Sequence, residues 1–273
     1  SFRSLSRNTP FLQLLAAVFV TNVCTTMMGK NTPYFAKYAL GDVEAAGIVM
    51  AIAAFANFLL MPLWMVAARF VEKRTLWLAG SAIATVGFLS FYLFRIDSVA
   101  QFAACLVGIS VGGSAMVFAF TAMLPDTTEY GEVRSGVRAE ALVFGVVLFV
   151  QKLALAVAAG LTGVLLDLVG FVPNVEQSAA TIGGLSAIMG LIPAAGTMLT
   201  FAMLLRYPIT RAYHAALRER IAAARASLVV EAALPAALQA SPAAPPEDTD
   251  AEDNHPDDLQ GNERAEIRRQ PFR

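Results

Sequence analysis

Lys152 lies inside an apolar stretch, residues 139–169, and stands 14 residues beyond Arg138. At about 1.5 Å of rise per helical residue it is roughly 20 Å into a membrane. An ammonium at that depth costs roughly 2.5–3.5 kcal/mol or more on insertion scales and is too deep to snorkel easily. It is therefore expected to face a bundle interior or a water-filled cavity. Gln151 sits beside it and can line the same cavity. Ala156, Ala159 and Gly163 follow Lys152 at steps of four, three and four, so the charge shares a face with small residues, the face expected to meet other helices.

A second polar group occupies the first apolar stretch. Asn22, Thr26 and Lys30 stand at intervals of four, and Tyr34 and Tyr38 continue the series, with Pro33 disturbing the helix beside them. The second stretch adds Asn57, with Pro62 and Trp64 towards its end. Ammonium, amide, hydroxyl and aromatic groups suit a hydroxyl-rich solute, or one bearing a carboxylate or phosphate. Each residue also has a structural reading. The Asn and Thr side chains serve as interhelical bonds, Lys30, roughly 18 Å from Asp42, snorkels outward, and Trp64 anchors the helix at the interface. Catalysis is not expected, because His214 and His255 both lie beyond the last apolar block and no embedded acid or metal-ligand pair is visible.

The third chemistry-bearing string is the charged segment 124–140, which carries Asp126, Glu129, Glu132, Arg134 and Arg138. Read as a connector, it places Asp126 at the C-terminal end of a helix, where a carboxylate opposes the macrodipole. Arg134 or Arg138 is then expected to neutralise it. Charged pairs at a membrane rim that break and reform between conformations make a gate, the alternative being a solvated connector.

The elements that must position these residues are legible as hydropathy blocks. The chain has 273 residues, 57% of them hydrophobic, with a net charge of −1. Six apolar stretches, 11–38, 43–67, 75–94, 99–124, 139–169 and 179–205, are each long enough to span a bilayer as a helix. The expected fold is an all-α membrane protein with six transmembrane helices. The first stretch holds Lys30 and leads straight into further spans, so it is not read as a removable signal peptide. Arg3, Arg7, Arg69, Lys73, Arg74, Arg134 and Arg138 fall on one side and only Lys37 and Arg95 border the other, which puts both termini in the cytoplasm. Cys24 and Cys105 lie inside spans without metal-ligand spacing. No basic stripe of the kind that binds nucleic acid is present.

Four segments follow: a cytoplasmic lead-in, 1–10; the six-helix domain, 11–205; a juxtamembrane amphipathic helix, 206–233; and a disordered acidic, proline-rich tail, 234–273. The third rests on Ile209, Tyr213, Leu217 and Ile221 recurring every four residues after Pro208, and the fourth on too little apolar surface to offset ordering entropy. Gly108, Gly112 and Gly113 in the fourth span, and Gly183, Gly184, Gly190, Gly196 and Pro193 in the sixth, permit close helix approach or a local bend.

These strings resemble the glycoside-pentoside-hexuronide:cation symporter (melibiose permease-like) family of the major facilitator superfamily. The resemblance rests on the acidic run Asp126 to Glu132, on Gly136 and Arg138-Ala139-Glu140, on the embedded Lys152, on Gly163 with Leu165-Leu166, and on Tyr207-Pro208-Ile209-Thr210. Asn8-Thr9-Pro10-Phe11 and the stretch 34–41 look like the start of the family's second six-helix half, and the likeness covers roughly residues 1–225.

It implies the carboxy-terminal half of a twelve-helix transporter, built as three plus three inverted repeats. Lys152 then affects sugar and cation transport. The coupling cation, sodium or proton, has its site mostly on the missing amino-terminal half, and no other cofactor is implied. The partners implied are a small hydrophilic solute, a sugar, the lipid bilayer, and a complementary six-helix half; the location is the bacterial inner membrane. Two departures stand out: Val117 replaces a sugar-contacting tryptophan and Leu148 a polar residue. The loop 69–74 resembles the superfamily's basic connector without its usual glycine. Two other readings remain open at this stage: a six-helix relic or membrane scaffold without transport, and a homodimeric transporter.

Overall fold

The computed structural model describes residues 5–135, 140–209, 213, 214, 216, 217 and 219. All regular structure among them is helical. Seven helices, α1 Thr9–Ala39, α2 Ala45–Phe70, α3 Lys73–Leu93, α4 Val99–Ser135, α5 Glu140–Leu168, α6 Ala179–Met189 and α7 Leu191–Leu204, make six spans long and apolar enough to cross a membrane. The sixth span is α6 and α7 together, and the chain is an integral membrane protein.

Local chemistry sets the boundaries. Asn8 caps α1, its Oδ1 accepting the Phe11 amide at 3.1 Å, and Pro10 sits in the first turn, where its missing N–H costs nothing. Asp42 Oδ1 accepts the amides of Glu44 and Ala45 at 2.9 and 3.0 Å, which starts α2 after the left-handed turn at Gly41. Ser178 caps α6 by accepting the Thr181 amide at 3.1 Å.

The core is assembled around α1, α3 and α4. Phe35, Phe91 and Phe102, one from each, pack with ring centroids 5.0–5.8 Å apart. Midway along, Gly80 and Gly112 let α3 and α4 meet backbone to backbone. A Cβ on Gly80 would lie 2.7 Å from the Gly112 carbonyl oxygen. Gly108 and Gly113 have open space beside them, so of the three glycines singled out there only Gly112 serves close approach to α3.

Two spans depart from the sequence reading. The fourth does not end at residue 124. It runs through Pro125 to Ser135, so Asp126, Glu129, Glu132 and Arg134 stand on helix and not on a connector. The sixth is broken at Gly190, because Pro193 offers no amide to the Met189 carbonyl and Gly190 itself lies against α3. A Cβ there would sit 2.8 Å from Tyr92 Cβ and 2.9 Å from the Phe88 carbonyl oxygen. The juxtamembrane helix lies largely, and the tail entirely, outside the described residues.

Burial is unequal among the spans. Only 11% of the most apolar window of α2 and 22% of that of α5 is buried within the molecule, against 39–50% for the other four. Phe55 and Phe58 of α2 and Phe149 of α5 stand well exposed.

Candidate functional site

A cavity of about 400 Å³ opens among α1, α2, α3, α4 and α7. The volume lies within the range of small-molecule sites. Its polar wall is mainly α1, which contributes Thr21, Asn22, Thr25 and Thr32. Asn57 faces in from α2, Ser110 from α4 and Thr197 from α7. Ala84 and Phe88 of α3 with Ile109 and Met116 of α4 make the opposite wall apolar. Val117 lines the cavity too, in place of the aromatic ring that the family resemblance had suggested.

Of the residues singled out from sequence, Asn22 and Asn57 line this cavity, whereas Thr26, Lys30, Tyr34, Gln151 and Lys152 do not. The α1 series explains part of this. Steps of four residues advance about 400° around a helix of 3.6 residues per turn, so each member drifts about 40°. Asn22 faces the cavity, Thr26 is half-buried at its flank, and Lys30 is exposed. Tyr34 packs edge-on against Phe171 in the α5–α6 connection, ring centroids 5.3 Å apart, and Tyr38 does the same at 5.1 Å. The sequence reading missed the neighbouring stripe of Thr21, Thr25 and Thr32, which four- and seven-residue spacings would have grouped.

Lys152 is exposed and Gln151 half-buried. Within this chain the face that carries Lys152 is left exposed. The buried residues of α5 are Val143, Val147, Ala154, Ala158 and Thr162, on the side of the helix away from Lys152. Lys152, Ala156, Ala159 and Gly163 all point outward, and nothing lies within 4 Å of a Cβ placed on Gly163. Among the described residues, Lys30 and Lys152 make no hydrogen bond or ion pair. Trp64 makes a contact that the sequence reading had not named. It is half-buried, and its indole N–H donates to Ser114 Oγ at 2.9 Å.

The charged end of the bundle is a second constellation. Asp126 is 5% exposed, and Lys73 Nζ donates to both of its oxygens at 2.8 Å and to the Ala122 carbonyl at 2.8 Å. His214 Nε2 lies 3.2 Å from Asp126 Oδ1 and 2.8 Å from Glu129 Oε2. Asp126 is thus matched by Lys73 at the start of α3 and has a histidine from past the last span beside it. Arg134 instead donates to the Tyr130 hydroxyl at 3.0 Å, and Arg138 lies outside the described residues. Glu132 is half-buried one turn beyond Glu129.

The chain is fastened at this end by further bonds. Asn8 Nδ2 donates to the Thr127 carbonyl at 2.8 Å, and the Arg74 guanidinium donates to the Leu205 carbonyl. Tyr207, buried beside this cluster, has no partner for its hydroxyl among the described residues. Burial pushes its phenol well above the usual value, and the nearby Asp126 carboxylate pushes it further.

An all-helical bundle of six apolar spans, with polar side chains along one wall of an internal cavity, defines a polytopic membrane protein. The model of the MFS/sugar transport protein family matches residues 1–211, and the chain belongs to that family, among its glycoside-pentoside-hexuronide symporter-like members. It is 26% identical over 214 residues to a glucuronide carrier protein homolog of Escherichia coli K12, covering 77% of this chain and 46% of that one. It is 31% identical over 199 residues to a putative sulfoquinovose importer of the same strain, covering 71% and 42%. To an isoprimeverose transporter of Lactiplantibacillus pentosus it is 28% identical over 214 residues, covering 77% and 44%. The match therefore spans less than half the length of these relatives.

Proposed function

We propose that the chain is half of a secondary active transporter that carries a small sugar or sugar acid (a glycoside, pentoside or hexuronide) together with a cation, by alternating access. A complementary six-helix half completes it, and that half holds most of the site for the coupling cation, sodium or proton. The assembly sits in a bacterial inner membrane with both termini of this chain in the cytoplasm, and it is not an enzyme.

The observation that carries this reading is the cavity with its polar α1 wall, together with the poorly buried helix α5, which turns Lys152 outward near its middle, unpaired among the described residues. A charge left so exposed requires water, a ligand or a counter-charge opposite it. Lys152 and Gln151 line the space between the halves. Asn22 and Asn57 contact solute from the cavity, and Thr26, Lys30 and Tyr34 border the same path. The relatives' names include a glucuronide and a sulfoquinovose, both hydroxyl-rich and both acids, and an ammonium answers their charge. The Lys73–Asp126–His214–Glu129 cluster, with Glu132, Arg134 and Arg138 nearby in sequence, forms part of the cytoplasmic gate.

The test is uptake by cells that make the complete transporter with Lys152→Ala. Transport falls tenfold or more at unchanged protein level in membranes; uptake equal to wild type refutes the role. An immunoblot with a tag after Arg273 at the native locus tells whether the complementary half is on the same chain.

A further inference from the structure

The cavity's polar wall is one-sided in its hydrogen bonding. Asn22 Nδ2 donates to the Val18 carbonyl at 2.8 Å, and Asn57 Nδ2 donates to the Ala53 carbonyl at 3.0 Å. Each bond runs back to the residue four positions earlier in the same helix. The hydroxyls behave alike. Thr21 donates to Ala17 at 2.9 Å, Thr25 to Thr21 at 3.0 Å and Thr32 to Met28 at 2.9 Å, while the Thr197 hydroxyl lies 3.0 Å from the Pro193 carbonyl and 2.8 Å from the Thr85 hydroxyl, either hydroxyl of that pair being able to donate.

A backbone carbonyl only accepts, so the end of a carboxamide facing it must be the NH₂, and the hydroxyl proton beside it must point the same way. What remains for the cavity is acceptor capacity: the Oδ1 atoms of Asn22 and Asn57 and the hydroxyl lone pairs. Among the described residues no hydrogen bond uses either Oδ1. Ser110 is the exception, its hydroxyl not committed to a carbonyl. No lining residue carries a charge.

We infer that this cavity reads hydroxyl donors: it binds the neutral polyhydroxyl part of the solute through its O–H protons and discriminates against derivatives that offer only acceptors there. An anionic group finds almost no donor in this wall and is excluded from it. A bare metal ion finds no carboxylate to offset its charge in a space of this size. The acid of a sugar acid must therefore lie outside the cavity, on the side where Lys152 stands. Asn22 and Asn57 are the specificity-determining residues, because they alone present carboxamide oxygens. This rests on the transport reading above and specifies which part of the solute the cavity takes.

The experiment offers labelled methyl glucuronide, sulfoquinovose and isoprimeverose to cells that make the complete transporter. The solute that accumulates is then competed with its own mono-deoxyfluoro and mono-O-methyl derivatives, ring position by ring position. Both replacements keep an acceptor and remove the donor. At one ring position or more, both derivatives compete about tenfold more weakly than the parent. In Asn22→Ala or Asn57→Ala the ratio of derivative to parent at that position returns towards one, even though absolute affinity falls for both. Deoxyfluoro derivatives that compete as well as the parent at every position overturn the inference and leave transport standing. An unchanged ratio in both alanine variants overturns the assignment to these residues. If none of the three solutes accumulates, the transport reading falls and this inference falls with it.

Discussion

Asp126 shows what a single buried charge demands. A carboxylate 5% exposed needs a counter-charge, and Lys73 supplies it with two bonds of 2.8 Å. Lys73→Ala should lower stability by about 2 kcal/mol, discounted because the lysine side chain is one-third exposed. Lys73→Met with Asp126→Leu should recover most of that loss, as read by melting temperature in detergent. If the double variant melts no higher than Lys73→Ala alone, the two do not act as a pair.

Tyr207 is the opposite case, a buried hydroxyl without a partner among the described residues. Tyr207→Phe should leave stability unchanged or raise it by up to about 1 kcal/mol at neutral pH. Its raised phenol adds a pH signature. Above the ordinary tyrosine value the unfolded chain ionises here while the folded one does not, so the unfolded state binds fewer protons and stability falls as pH rises. Tyr207→Phe should flatten that alkaline loss, and an unchanged profile counts against the burial argument. The need for a partner to Asp126 was legible in sequence. The identity of that partner was not, because Lys73 and Asp126 are 53 residues apart.

Whole helices, the fourth excepted, were read well in extent and less well in facing. Periodicity gives the angle between residues of one helix but not the direction in which that helix looks. The four-residue polar series on α1 was real, yet it winds around the helix, and the cavity selected a stripe beginning at Thr21 and Asn22. The glycines of α4 make the same point. Three were visible in sequence, but only Gly112 lies where a Cβ would collide with α3. Gly112→Ala should therefore cost about 1–3 kcal/mol through overpacking. Gly108→Ala, with open space beside it, should be neutral or gain up to about 1 kcal/mol from helix propensity. Comparable melting temperatures for the two variants would contradict the close α3–α4 approach.

At the scale of the whole molecule, the outward face of α5 decides how the bundle is used. Ala156 is exposed on the face of Lys152, whereas Ala158, two residues on, is fully buried. In the complete transporter Ala156→Cys should react with a water-soluble maleimide, and saturating solute should slow the reaction. Ala158→Cys should stay unmodified. Equal labelling of both, or labelling of Ala156→Cys that solute leaves unchanged, would place the Lys152 face away from the transport path.

The sequence alone determined the number of spans, their near boundaries, the unusual depth of Lys152 and the family resemblance. Each of these depends on local hydropathy, length or a contiguous string, and a bilayer enforces them residue by residue. Only the tertiary structure decided that helix α4 continues past Pro125, that Asp126 pairs with Lys73 and lies beside His214, that Lys152 turns away from its own bundle, and that Asn22 and Asn57 line a cavity while their amide groups bond back to their own helices. Those facts depend on which helix faces which, set by packing between residues far apart in the chain, and no spacing within one segment encodes them.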